Sequence, residues 1–203
     1  NAKGNPIGQF LFIIFGALYG IISYSFAYYG EMITYMGMTV PMAFISLISW
    51  LKNPYKNKKS EVEVSNIKKK EIWFLVPLTI IVTVFFYFIL KEFGTANIVP
   101  STFSVTTSFV AVYLTFRRSP YFALMYAFND IVLIVLWILA TFKDVSYLSV
   151  IICFVMFLFN STLINSGLLF ILKGAILFPI PLLTIIVVFF SSYFPLVYLG
   201  NNP

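Results

Sequence analysis

The sequence predicts an all-α, polytopic helical membrane protein of about seven transmembrane helices. Three observations predict it. Of the 203 residues, 61% are hydrophobic and only 10% are charged, against roughly 25% charged in a soluble domain. Thirteen Lys and Arg with seven Asp and Glu cannot cover the surface of a soluble chain this long, so the chain needs an apolar solvent. The apolar residues also fall in runs near the roughly 20 residues that a helix needs to cross a hydrocarbon core. The 24 Phe and 13 Tyr suit helix interfaces and the headgroup belt.

Taken in order, the apolar runs lie at 8–28, 33–51, 72–90, 101–116, 121–142 and 147–164, with a further run at 174–199. A polar loop at 52–71 separates the second run from the third. Gly16 and Gly20 bracket Ala17-Leu18-Tyr19 in a small-xxx-small pattern, which lets helices approach closely. Pro41 stands inside the second run and predicts a kink there, either beside a cavity or as a simple bend. Pro77, Pro179 and Pro181 interrupt other runs, which membrane helices accept where neighbours or water satisfy the freed carbonyl.

Loop charge orients the spans, because Lys and Arg collect on the cytoplasmic side. With the 52–71 loop inside, Lys52, Lys56, Lys58, Lys59, Lys68, Lys69 and Lys70 are cytoplasmic. Alternation then places Lys3, Arg117, Arg118 and Lys173 inside too, and leaves only Lys91 and Lys143 outside, beside Glu92 and Asp144. Topology thus accounts for the net charge of +6, and no nucleic-acid partner is expected.

Composition also excludes chemistry. The chain has no His, the commonest metal ligand and general base. Its single Cys153 lies in an apolar run and forms neither an internal disulfide nor a metal cluster. There is no triad, phosphate-cradling glycine loop or carboxylate pair on one helix face. No catalytic residue, metal site or cofactor is expected, and the chain is read as not an enzyme.

Asp130 is the only acidic residue in the middle part of a span. A carboxylate there is expensive, so it faces a bundle interior or a wet cavity. It is a substrate or ion site, or else a buried pair with Arg117 or Lys143. Tyr126, Asp130, Leu133 and Trp137 recur at helical spacing on one face, with Asn129 beside them. That stripe suits a cationic aromatic ring bearing a sugar: ring faces attract the cation, and the carboxylate and amide bind hydroxyls. On the fourth span, Thr102, Thr106, Phe109, Tyr113 and Arg117 share a second polar face. Thr102 and Thr106 are expected to bond back to their own helix, and Tyr113 to reach a cavity. Arg117 and Arg118 are expected to snorkel to phosphates. Trp50 shares a face with Met42, Ser46 and Asn53 near the cytoplasmic interface, where a belt role is the default. Glu31, beside Tyr28 and Tyr29, is expected to be a solvated loop residue.

A parallel internal repeat is a further expectation. Tyr19 and Asn53 recur as Tyr126 and Asn160 at the same offset, and the two helix pairs have the same orientation, as in some transporters.

The segments 19–31 (YGIISYSFAYYGE), 41–54 (PMAFISLISWLKNP) and 104–128, running into Asn129-Asp130 and on to Trp137, carry a resemblance to the PnuC family of bacterial nicotinamide riboside transporters. The resemblance implies SWEET-like three-helix bundles joined by a linker helix. The boundaries would be a partial first bundle at 8–51, the basic cytoplasmic loop at 52–71, the linker at 72–90, a second bundle at 101–164 and an atypical apolar segment at 165–203. It implies a multi-pass protein of the bacterial inner membrane that assembles as homotrimers. Each protomer would carry a small vitamin or nucleoside across the lipid bilayer by facilitated diffusion with alternating access. Nicotinamide riboside and thiamine fit equally, both having a cationic heteroaromatic ring. The alternative is a non-transport membrane subunit in which Asp130 is a structural interhelical pair. The candidate substrate-binding residues are Asn129, Asp130, Trp137, Tyr126, Tyr113 and Trp50. The chain opens on Asn1 rather than Met and lacks the family's usual first spans. It is therefore expected to begin inside a longer gene product, with its first bundle short of a helix and its end altered.

Overall fold

The computed structural model describes residues 5–25, 28–56, 58–95, 97–142 and 145–165. The chain runs through α1 (Pro6–Ser25), α2 (Tyr29–Thr34), a π-helical turn (Tyr35–Thr39), α3 (Val40–Lys52), β1 (Pro54–Tyr55) and β2 (Lys58–Val62). It continues through α4 (Lys69–Glu92), α5 (Ile98–Phe116), α6 (Phe122–Thr141), a 3-10 turn (Val145–Tyr147) and α7 (Leu148–Asn165). Five segments are long and apolar enough to cross a membrane: α1, Tyr29–Lys52, α4, α5 and α6. The apolar stretch Leu148–Phe159 of α7 is shorter. The expected run at 174–199, the Asn160 side chain of the proposed repeat, and Lys143 lie outside the described residues.

The second span starts at Tyr29, four residues before its apolar run, and is not one regular helix. Pro41 has no N–H to give to the carbonyl one turn back. The turn before it is wound wider, and Val40 N–H bonds to the Tyr35 carbonyl five residues earlier. Such a π turn rotates the residues around it relative to the rest of the span. Here Tyr35, Met38 and Thr39 are all buried. The kink expected at Pro41 is therefore this π turn.

Gly16 and Gly20 do what their spacing predicts. A Cβ on Gly16 would stand 2.8 Å from Val40 Cγ2, and one on Gly20 2.6 Å from Met36 Cγ. The missing side chains let α1 lie directly against the second span. In lipid, where no hydrophobic force drives helices together, such close packing holds them.

α4 lies on the outside. Leu75 and Leu90 are buried, and with Leu78, Val82 and Phe86 they form a stripe against Val105 and Phe109 of α5 and Met38. The Thr83 and Thr106 hydroxyls bond at 2.9 Å across the same seam. The opposite face, including Phe74, Ile81, Phe85 and Phe88, is exposed, as a lipid-facing helix requires. Trp73 is 83% exposed beside Lys69 and Lys70 and takes the interfacial belt position. α5 packs on α6 and α6 on α7, while α1 meets α6 and α7 through aromatic side chains, Phe12 on Tyr126, Tyr19 on Trp137 and Phe15 on Phe154.

The span ends gather as alternation requires. At one end the Trp50 indole N–H donates to the Thr115 carbonyl at 2.8 Å, and the Ser49 hydroxyl to the Phe116 carbonyl at 3.2 Å. Arg117 pairs with Glu71 there through Nε–Oε1 and, at 3.0 Å, Nη2–Oε2. The last carbonyls of a helix lack the regular intrahelical donors, and α3 supplies donors to those of α5 beside the Arg118 N–H that Thr115 also accepts. The basic loop joins this end as a short β1–β2 hairpin, followed by a Ser65 N–H bond to the Arg118 carbonyl. At the other end Gly30 meets Leu90 and Thr95, and Tyr28 meets Tyr147.

Candidate functional site

α6 turns one face inward, burying Asn129, Asp130, Leu133, Leu136, Trp137 and Ala140. This is the stripe that helical spacing predicts. Asp130 is 5% exposed, and its Oδ2 accepts from the Ser161 hydroxyl of α7 at 3.2 Å. The alternative, a pair with Arg117, does not form: Glu71 holds that guanidinium and raises its pKa, first by hydrogen bonding. Asn129 Oδ1 accepts from both Thr107 and Ser108 of α5 at 2.8 Å. On its other side the amide faces Tyr35 from the π turn.

Trp137 is fully buried and donates its indole N–H to the Tyr19 phenol oxygen at 2.8 Å. The indole ring lies 4.8 Å from Tyr28 and 5.5 Å from Tyr147, measured between centroids. Tyr19 in turn meets Tyr35 edge to face at 4.4 Å. Tyr126 is half-buried against the Phe12 ring at 5.3 Å and lies within electrostatic reach of Asp130. Tyr126 and Trp137 of α6 therefore face aromatic side chains of α1, Asn129 faces α5 and the π turn, and Asp130 faces α7.

Two other candidates stand elsewhere. Tyr113 does not reach these residues: its hydroxyl donates to Glu71 Oε1 at 3.2 Å, at the basic-loop end. Trp50 is neither at the belt nor beside Asp130. It is 3% exposed and packs edge to face on Phe122 while capping α5. Arg117 is likewise an ion-pair partner rather than a snorkelling anchor. Thr102 and Thr106 bond back to the Ile98 and Thr102 carbonyls as expected. Their face of α5 turns to α4, and the inward face is instead Ser101, Ser104, Ser108, Ala111 and Thr115.

Glu31 is the residue that sequence reasoning misplaced. It is 1% exposed, not solvated, because α2 begins at Tyr29 and carries it into the interior. Its Oε2 accepts from Ser104 at 3.4 Å, and Tyr19 and Tyr35 stand within electrostatic reach. A signal was present: Glu31, Thr34, Tyr35, Met38 and Thr39 fall at helical spacing and are all buried.

A family model described as nicotinamide mononucleotide transporter matches residues 1–165. The chain belongs to this family. Within the nicotinamide mononucleotide transporter family, the nicotinamide riboside transporter PnuC of Neisseria mucosa is 32% identical over 161 residues. That match covers 76% of this chain and 61% of the relative, so the chain spans less than two thirds of the relative's length. The crystal structure of the vitamin B3 transporter PnuC shares the fold with a TM-score of 0.68 at 25% identity, covering 81% of this chain and 72% of that one. Family and apolar helices together make this a multi-pass protein of the bacterial inner membrane.

Proposed function

We propose that the chain carries nicotinamide riboside, or a related vitamin or nucleoside, across the membrane by facilitated diffusion with alternating access. One observation carries the reading: Asn129, Asp130 and Trp137 are all buried on the inward face of α6, in a chain of a transporter family. Buried intramembrane polar groups are expensive, and are kept where a solute uses them. Trp137 offers a ring face to a cationic heterocycle, while Asp130 offers an acceptor and the Asn129 amide nitrogen a donor to ribose hydroxyls.

Charge favours the riboside over the mononucleotide. The acidic side chains Glu31 and Asp130 flank the site, and the described lysines whose side chains are placed are all exposed. A phosphate would enter with like charge and no cationic partner. The solute leaves unchanged, since transport makes or breaks no bond. The partial first bundle at 8–51, the linker at 72–90, the second bundle at 101–164 and a homotrimer complete the proposal. Thiamine is the second solute to test.

The test is uptake of labelled nicotinamide riboside and nicotinamide mononucleotide into proteoliposomes, with Asp130→Asn beside the wild type. The expected result is riboside uptake that runs to equilibrium without an ion gradient, little mononucleotide uptake, and at least a tenfold loss in Asp130→Asn at unchanged melting temperature. An Asp130→Asn protein that unfolds or dissociates while wild type transports nothing points instead to a structural pair.

A further inference from the structure

The carboxylates at this site are not equivalent. Asp130 is engaged by Ser161, and Asn129 is saturated at its carbonyl by Thr107 and Ser108. Glu31 is held by the Ser104 hydroxyl, 3.4 Å from Oε2, with the Tyr19 phenol beside it, and its buried Oε1 has no hydrogen-bond partner. The groups facing it are the phenols of Tyr19 and Tyr35 and the Ser104 hydroxyl. Tyr19 accepts from Trp137, which leaves its own O–H to donate. No described Lys or Arg is placed to neutralise Glu31.

A buried acceptor without a partner is a cost that native structures rarely carry without a reason. A buried charge is ordinarily paired. Here the carboxylate lies within electrostatic reach of Tyr19, Tyr28 and Tyr35, and the rings of Tyr19 and Tyr28 pack on Trp137. Aromatic faces together with one unpaired carboxylate attract an organic cation and do little for its neutral counterpart.

We infer that Glu31 is the cation-selecting residue of the site, facing the positively charged ring of the solute, while Asp130 and Asn129 serve its hydroxyls. The inference rests on the transport reading for the identity of the solute but not for the role of the charge. It divides the site by chemistry: α2 reads charge and α6 reads sugar.

The experiment compares nicotinamide riboside, whose ring is a pyridinium, with its dihydro form, whose ring is neutral. Binding to purified wild type, Glu31→Gln and Glu31→Asp is measured by calorimetry, together with the melting temperature of each without ligand. Expected are a wild-type preference for the cation and at least a tenfold loss of cation affinity in Glu31→Gln. Affinity for the neutral form should change less than threefold, and Glu31→Asp should recover part of the preference. The unliganded Glu31→Gln protein should melt no lower than wild type, since Ser104 can still donate to the amide oxygen. Equal loss of both ligands, or a lower melting temperature in Glu31→Gln, overturns the inference and makes Glu31 structural. If folded wild type binds neither riboside, the transport reading fails. Selectivity of wild type over Glu31→Gln for 1-methylnicotinamide against nicotinamide then decides the role of Glu31, its absence overturning it.

Discussion

The Trp137 indole donates to the Tyr19 phenol oxygen at 2.8 Å, joining two residues 118 positions apart in the chain. Both are buried, and the bond ties α1 to α6 at the level where the candidate site lies. It also fixes the plane of the indole, which packs against Tyr28 and Tyr147.

Tyr19→Phe leaves that indole N–H buried without an acceptor. An unsatisfied buried donor costs about 1–3 kcal/mol, so the melting temperature in detergent should fall. Combining it with Trp137→Phe, which removes the donor as well, should cost less than the sum of the two single changes. Strict additivity would mean that the bond contributes nothing.

The glycine seam gives a prediction with an internal control. Gly16→Leu and Gly20→Leu force side chains onto Val40 and Met36, an overpacking that costs about 1–3 kcal/mol or more. Gly37→Ala meets nothing within 4 Å and should leave stability nearly unchanged. Thermal unfolding of the three variants checks it: an equal effect at Gly37 would remove packing as the cause.

The Glu71–Arg117 pair joins the start of α4 to the end of α5. Arg117 is one-third exposed, so the pair is worth at most about 1 kcal/mol after solvent screening. Glu71→Gln should lower stability by that amount at low salt and by less at high salt. Trp50→Phe, which removes the bond to the Thr115 carbonyl, should cost about 0.5–1.5 kcal/mol with no such salt dependence. Melting curves at low and high ionic strength separate the two.

The inward face of α6 was legible because the helix carries its own signal. Asp130 is a charge inside an apolar run, and Tyr126, Leu133 and Trp137 share its helical face, so spacing alone predicted which side turns inward. On α5 the same reasoning chose the wrong face. Threonines at 102 and 106 are polar in composition, yet their hydroxyls are used by their own helix and by Thr83 of α4. The smaller serines at 101, 104 and 108 are the ones that face inward.

The sequence by itself placed the five described helices that are long enough to cross a membrane on its apolar runs. That is a property of local composition, because hydrophobic length sets what can cross a bilayer. It also marked Asn129, Asp130 and Trp137. Only the tertiary structure decided that Glu31 is buried, that Trp50 and Tyr113 belong to the basic-loop end, and that Tyr19 completes the indole. The physical reason is that a helix in lipid is apolar on every side, so periodicity separates its protein-facing stripe from its lipid-facing one only weakly. Which polar groups share a space is settled where one helix meets another, here by a glycine seam on α1 and a π turn ahead of Pro41.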